Sequence, residues 1–314
     1  MSAVAHLPRL DAPLPSPVND GPVLVACDGA PVHDALFSAA RLASQALGSA
    51  IEVIGVCEPT PGVAAGMEMV PVPVELDDRR REAMLEDVRR TVSISAAGDR
   101  QWPVEVLLGS PPRTLADEAR KRHAALLVMG IGRHNPLDRL FGTETTLATL
   151  RESTVPVLAV GGSFSAFPQH AVVGLDFSDA AVRAARIAGR LVSAKGRLTL
   201  VHVRPRFEHP SADWQQWDSE YGRTLPPLFD QIRHQLDVPD TLLVETVTVR
   251  GDPAPALLAF AQQVNADLIA LGTQRHSFLE RLVVGSVATR VLRTARCAVL
   301  AVPAVPASSA NGPA

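Results

Sequence analysis

Residues 266–303, ADLIALGTQRHSFLERLVVGSVATRVLRTARCAVLAVP, decide how this chain folds. A short apolar run, Leu268-Ile269-Ala270-Leu271, stops at Gly272, and a polar, basic loop follows. Gly285-Ser286 then opens an amphipathic stretch, Val287 to Leu292, that ends among Arg293 and Arg296. A second apolar run, Ala298 to Val302, closes at Pro303. The pattern reads strand, loop, helix, strand. Short apolar runs joined by a helical crossover belong to parallel strands covered on both faces. Gly272 lets the backbone turn and approach a ligand closely, and Gly285-Ser286 sets free N–H groups and a hydroxyl at a helix N-terminus, a ready anion site. Residues 124–160 repeat the design, with Gly130 and Gly142-Thr143 in the corresponding places.

Outward from these two copies, the same order of elements occurs twice. In the first half, strands are expected at Val23–Cys27 (ending at Asp28-Gly29), Ile51–Cys57, Val104–Leu108, Leu126–Met129 and Val155–Val160. Helices are expected at 31–47, 74–97, after the turn Gly109-Ser110-Pro111 with Ser110 as N-cap, and after Gly142-Thr143. Residues 60–73, rich in Pro and Gly, read as a mobile loop. A linker, 161–168, leads to the second half. There, strands are expected at Ala171–Leu175 (ending at Asp176-Phe177-Ser178), Leu198–Val203 and Leu242–Val249, followed by the two of the opening stretch. Residues 209–225, with Trp214 and Trp217, read as irregular, and Pro226-Pro227 delays the next helix to 228–236. Gly251-Asp252-Pro253 mirrors the first half's turn.

The fold class expected is therefore α/β: two tandem, doubly wound, parallel five-stranded sheets of Rossmann-like type with helices on both faces. The domains run 21–162 and 169–303, between a disordered lead, 1–20, and a disordered tail, 304–314. Ligands in such sheets sit beyond the carboxyl ends of the strands at the switch point. That places Asp28, Val56, Gly130 and Gly142 around one crevice, and Asp176, Val203, Gly272, Gly285 and Ser286 around the other.

Composition removes several functions. With 46% hydrophobic residues in 314, the chain can bury two ordinary cores. A net charge of -3 and 4% aromatic residues argue against nucleic-acid binding. The three cysteines, Cys27, Cys57 and Cys297, form no metal-ligand spacing and suit a reducing cytoplasm, the localisation expected. No run is long enough to span a membrane, and the N-terminus does not read as a signal peptide. There is no GxxxxGK[ST] loop, GxSxG elbow or HExxH pair, and no readable general base, so binding without efficient turnover is the better expectation.

The paired motifs resemble those of the universal stress protein family, whose ATP-binding members carry Gly, two residues, Gly, nine residues, then Gly followed by Ser or Thr. Gly272-Thr273-Gln274-Arg275, nine residues, Gly285-Ser286 is similar to that pattern, and the resemblance covers 21–303. It implies that Asp176 and the Val203 backbone recognise adenine, and that Gly272, Gly285 and Ser286 hold ribose and phosphates. The first-repeat equivalents are Asp28, Val56, Gly130, Gly142 and Thr143. Arg275 stands where the family has a glycine: either its side chain blocks the phosphates or its guanidinium helps hold them. The first repeat departs further. Its glycine spacing is one residue short, and Glu144 adds a carboxylate that suits a helix dipole but repels phosphate.

The resemblance implies a stress-response regulator binding ATP, with or without Mg2+, most readily in the second repeat. An unidentified protein partner would read the loop state. By the same resemblance, Val155–Val160 pairs with Ala298–Val302 inside the chain as a pseudo-dimer, and two chains can associate further. A nucleotide-free interaction protein and a slow ATPase are the alternatives. Plainer readings stand beside these: Asp28 and Asp176 as turn residues, Ser286 as a helix cap, His202 as a hydrogen-bonded core residue, and Cys27 and Cys57 as buried small side chains rather than a redox pair.

Overall fold

The computed structural model describes residues 18–30, 34–60, 63–65, 68–70, 74–95, 101–131, 142–161, 164–206, 212–273 and 285–304. The first half holds β1 (Val23–Ala26), α1 (Asp34–Leu47), β2 (Ile51–Cys57), β3 (Val63–Ala65), β4 (Glu68–Val70), α2 (Val74–Ser95), β5 (Val104–Leu108), α3 (Pro111–Lys121), β6 (Leu126–Gly130), α4 (Thr143–Glu152) and β7 (Val157–Val160). The second holds β8 (His170–Gly174), α5 (Asp179–Leu191), β9 (Arg197–Arg204), α6 (Ala212–Gln235), β10 (Leu243–Arg250), α7 (Pro253–Gln263), β11 (Leu268–Thr273), α8 (Ser286–Thr294) and β12 (Ala298–Pro303).

Ten strands form one sheet in the order β10-β9-β8-β11-β12-β7-β6-β1-β2-β5. Within each half all neighbours are parallel, and the halves meet where β12 runs antiparallel to β7, Leu300 facing Leu158. This is the intrachain pairing of last strands that the resemblance implied. Because the seam is antiparallel, the carboxyl ends of the two sets of strands point to opposite edges of the sheet. The two switch points, β1/β6 and β8/β11, therefore open on opposite sides of the molecule.

Strand residues alternate between two cores. Val23 and Val25 join the layer under α1, α2, α5 and α6, whereas Leu24 and Ala26 join the layer under α3, α4, α7 and α8. At the opposite end of the strands from the first crevice, Arg122 gathers Glu52, Glu105 and Glu118 at 2.6, 2.5 and 3.0 Å, tying α3 to the sheet edge.

The structure departs from expectation in four places. The stretch expected as a loop at 60–73 contains an antiparallel hairpin, Val63 pairing with Val70. The stretch expected to be irregular around Trp214 and Trp217 belongs to one helix, α6, with Pro226 and Pro227 inside it. Each proline removes a backbone donor and costs about 3 kcal/mol in a helix interior. Leu225, Phe229 and Ile232 are nevertheless buried on one face that passes unbroken through the pair, each worth roughly 1.5–3 kcal/mol. Ser110 and Asp252 occupy their N-cap positions without making a side-chain capping bond. In the expected lead, Val18 is buried in the core and Asn19 Nδ2 donates to the Ala124 carbonyl at 3.1 Å. The rest of that lead (1–17), and 305–314 of the expected tail, lie outside the described residues.

Candidate functional site

Each crevice begins at a turn after its first strand. Ala30 N donates to Asp28 Oδ1 at 3.1 Å, and Ser178 N donates to Asp176 Oδ1 at 3.0 Å. Both carboxylates thus close a turn through one oxygen. The residue after each aspartate has a left-handed backbone, Gly29 at φ 78 and Phe177 at φ 62. Glycine takes this conformation freely; phenylalanine does so at a cost of roughly 1–2 kcal/mol. The Phe177 ring is buried against Phe229 and His202, with centroids 5.5 and 4.8 Å away, which offsets that cost. In the second turn the Ser178 hydroxyl donates to Asp176 Oδ1 at 2.6 Å and accepts from Ala181 N at 3.2 Å, capping α5. Asp176 is exposed; Asp28 is half-buried, and burial raises its carboxyl above the ordinary range.

Strand register brings the valines to these turns. Cys27 N donates to Ile54 O at 3.0 Å, and Leu175 N donates to Val201 O at 2.8 Å. Continued past its last pairs, Ala26 with Ile54 and Gly174 with Val201, the same register sets Cys27 level with Gly55 and Leu175 with His202, and then Asp28 with Val56 and Asp176 with Val203. Val56 is buried, whereas Val203 is half-buried.

The glycines at the strand ends differ. A Cβ at Gly272 would lie 2.4 Å from Ala181 N and 2.7 Å from Ala180 C, so the first turn of α5 fills that space. The glycine is needed there for packing of backbone on backbone, whatever the crevice holds. A Cβ at Gly130 would meet no described atom within 4 Å.

Gly142 and Gly285 are the N-cap residues of α4 and α8, without side-chain capping bonds. Thr143 and Ser286 are the first helical residues, so the plain reading of Ser286 as N-cap gives way to Gly285. Ser286 is exposed. In α4 the following residue is Glu144, held by Arg293 of α8 at 2.9 Å; in α8 it is Val287. Arg275 and both connecting loops, 132–141 and 274–284, lie outside the described residues.

Sequence reasoning missed the α6 side of the second crevice. His202 Nδ1 is 2.8 Å from the Leu175 carbonyl and Nε2 is 2.9 Å from Tyr221 Oη, making it the hydrogen-bonded core residue of the plainer reading. Arg204 lies over the Tyr221 ring at 5.6 Å and pairs with Asp218, which also pairs with Arg250. Tyr221 stacks on Trp217 at 5.1 Å. Only the i, i+4 spacing of Trp217 and Tyr221 could have signalled this, had the stretch been read as helix.

Burial pushes the Cys27 thiol up to about 11, which argues against a reactive thiolate. Among the described residues no group of three or more His, Cys, Asp or Glu is placed to hold a metal ion, and no helix is long and apolar enough to cross a membrane. Two open cavities, about 650 and 440 Å³, lie at the amino ends of β8–β10 and include none of the candidate residues.

The universal stress protein family model matches residues 21–161 and again 168–303. A universal stress protein of Methanocaldococcus jannaschii is 44% identical over 54 residues, 17% of this chain and 32% of that protein, so the chain matches about a third of that relative's length. The crystal structure of a universal stress protein from Archaeoglobus fulgidus, 20% identical, superposes over 91% of this chain and 97% of its own with a TM-score of 0.58. A universal stress protein solved in complex with cAMP is 27% identical over 44% of this chain and 98% of its own, with a TM-score of 0.35. With the family model matched twice along one continuous sheet, the chain belongs to the universal stress protein family as a tandem member.

Proposed function

We propose that this chain is a stress-response regulator that binds an adenine nucleotide, ATP in the first instance, in the crevice of its second unit. The units are taken as 21–162 and 169–303. One observation carries the reading: the β8/β9 register, continued two residues past Gly174 and Val201, sets Asp176 and its closed turn level with Val203, while the N-terminus of α8 begins at Gly285-Ser286 with no carboxylate in its first turn. In this reading the second carboxylate oxygen of Asp176, the one not closing the turn, and the Val203 backbone meet the adenine. The Gly272 backbone, the N–H groups after Gly285 and the Ser286 hydroxyl hold ribose and phosphates. The Arg275 guanidinium would either help hold the same phosphates or block them. Magnesium would ride on the phosphates rather than in a protein cage. The bound nucleotide orders the connecting loop, and a partner protein reads its state. The chain acts in the cytoplasm and can associate into dimers.

The first unit favours a second reading, a nucleotide-free scaffold. Its own phosphate terminus carries Glu144, already engaged by Arg293. Titration calorimetry with ATP and with cAMP tests the proposal. The expected result is saturable binding that Gly285→Asp abolishes and Gly142→Asp leaves intact. No heat at millimolar nucleotide would leave the scaffold reading for both units. Phosphate release no faster than in buffer would remove a slow ATPase.

A further inference from the structure

The two units differ in a matched pair of positions. Where the first has Gly29 and Gly55, the second has Phe177 and His202, by the register of β1 on β2 and of β8 on β9. In the first unit a Cβ at Gly55 would stand 3.2 Å from the Cys27 carbonyl and 3.3 Å from the Met84 methyl of α2. In the second unit the corresponding space holds an imidazole. Leu175 O can only accept, so His202 Nδ1–H donates to it across 2.8 Å. A neutral ring protonated on Nδ1 has its acceptor on Nε2, so Tyr221 O–H donates there across 2.9 Å. The ring also lies against Phe177, 4.8 Å between centroids. One side chain therefore joins three parts: the carbonyl just before Asp176, the left-handed residue just after it, and α6.

We propose that His202 is a positioning residue of the second crevice: neutral, it locks the Asp176–Ser178 turn to α6, and protonated it loosens that turn and weakens ligand binding. The ligand half of this statement rests on the nucleotide reading above; the turn half does not.

The charged groups around the ring set the direction. Burial disfavours the imidazolium most; the bond to the Leu175 carbonyl and then Asp176 favour it, and Arg204 on the same strand disfavours it. On α6, Tyr221 is raised by burial and so keeps its proton, while Asp218 is committed to Arg204 and to Arg250 of β10. On β10 the residue in register with His202 is the uncharged Thr248. The folded ring is thus held below its ordinary value of about 6.5. Its contribution is complete above that value and is lost as pH falls through the folded value. Protonation turns Nε2 into a donor facing the Tyr221 hydroxyl. That hydroxyl must then reverse, and its hydrogen loses its acceptor at a half-buried site.

The test uses the whole chain, wild type and His202→Asn, at pH 7.5 and 5.5. Asparagine retains a donor near the Nδ1 position and does not titrate. Amide exchange of Phe177 to Ala181 in the ligand-free protein, corrected for intrinsic rates, is expected to accelerate in acid in the wild type and not in the variant. ATP affinity is expected to fall about fivefold more in the wild type than in the variant over the same interval, the low end of ordinary site coupling. Tyr221→Phe, which keeps the ring and removes the hydroxyl, is expected to show the faster exchange already at pH 7.5 and no further acceleration in acid. Exchange that follows the same pH course in all three proteins overturns the proposal. Absence of ATP binding at both pH values overturns the nucleotide reading, and the exchange data then decide the role of His202 alone.

Discussion

Arg293, in the last turn of α8, grips Glu144, in the first turn of α4, with Nε 3.1 Å from Oε1 and Nη2 2.9 and 3.2 Å from Oε1 and Oε2. The contact crosses between the two units, because the antiparallel seam sets the end of one helix beside the start of the other. Each charge also suits its own helix dipole. Both side chains are more than half exposed, 52% and 72%, so water screens the pair. A double-mutant cycle with Glu144→Ala and Arg293→Ala is expected to give a coupling of about 0.5 kcal/mol, shrinking further in molar salt. A coupling of more than about 2 kcal/mol, unchanged by salt, would show the pair to be a structural lock instead.

Glu144 also separates the two crevices chemically, since Val287 stands at its counterpart position. Glu144→Val removes the carboxylate from the helix terminus of the first unit. The expected outcome is a second, weaker phase in an ATP titration. A titration curve identical to that of the wild type would mean that Glu144 is not what closes the first crevice.

Gly272 and Gly130 should respond unequally to the same change. Gly272→Ala drives a Cβ into the Ala180–Ala181 backbone, with contacts of 2.4 and 2.7 Å, and is expected to lower stability by about 1–3 kcal/mol or more. Gly130→Ala enters space free of described atoms and is expected to stay within about 0.5 kcal/mol. Urea unfolding of the two variants measures the difference, and equal losses would refute the packing account of Gly272.

At Phe177 the usual order of substitutions should invert. Alanine loses the buried ring, a change that typically costs about 3–5 kcal/mol, and keeps the left-handed backbone. Glycine loses the same ring but relieves roughly 1–2 kcal/mol of backbone strain. Phe177→Gly is therefore expected to be the more stable of the two by urea midpoint, and the reverse order would remove strain from the account.

Much of this was written in the sequence, for physical reasons visible at particular residues. Ile51–Cys57 and Val104–Leu108 could be placed to the residue because apolar runs bounded by Gly and Pro leave little choice of ends. The turns at Asp28 and Asp176 were legible as turns. The reason for Gly272 was not, because it depends on how closely α5 approaches β11, a tertiary distance that no local pattern encodes. Helix α6 was hidden for a related reason. Pro226 and Pro227 are strong local breakers, and only burial of Leu225, Phe229 and Ile232 on the sheet outweighs them. Once that helix was read as loop, the contacts of Tyr221 with His202 and Arg204 could not be anticipated.

Burial of Asp28 gives a pH dependence with a definite sign. Its folded carboxyl is raised above the ordinary value near 3.9, with desolvation the main cause. The native state therefore favours the protonated form. Its relative stability is fully present below about pH 3.9 and is lost as pH rises through the folded value. Asp28→Asn keeps an oxygen acceptor for Ala30 N and carries no charge. It is expected to raise the urea midpoint at pH 7 while leaving it unchanged at pH 3. A loss at pH 7 would mean that the ionised carboxylate is stabilised by something other than its turn.

The central claim, a nucleotide in the second crevice, is tested most directly by native mass spectrometry of the gently purified chain with ATP added at millimolar concentration. The account predicts a peak heavier than the bare chain by one adenine nucleotide, retained in Gly142→Asp and lost in Gly285→Asp. A spectrum showing only the bare chain, or an adduct that survives Gly285→Asp unchanged, would contradict it.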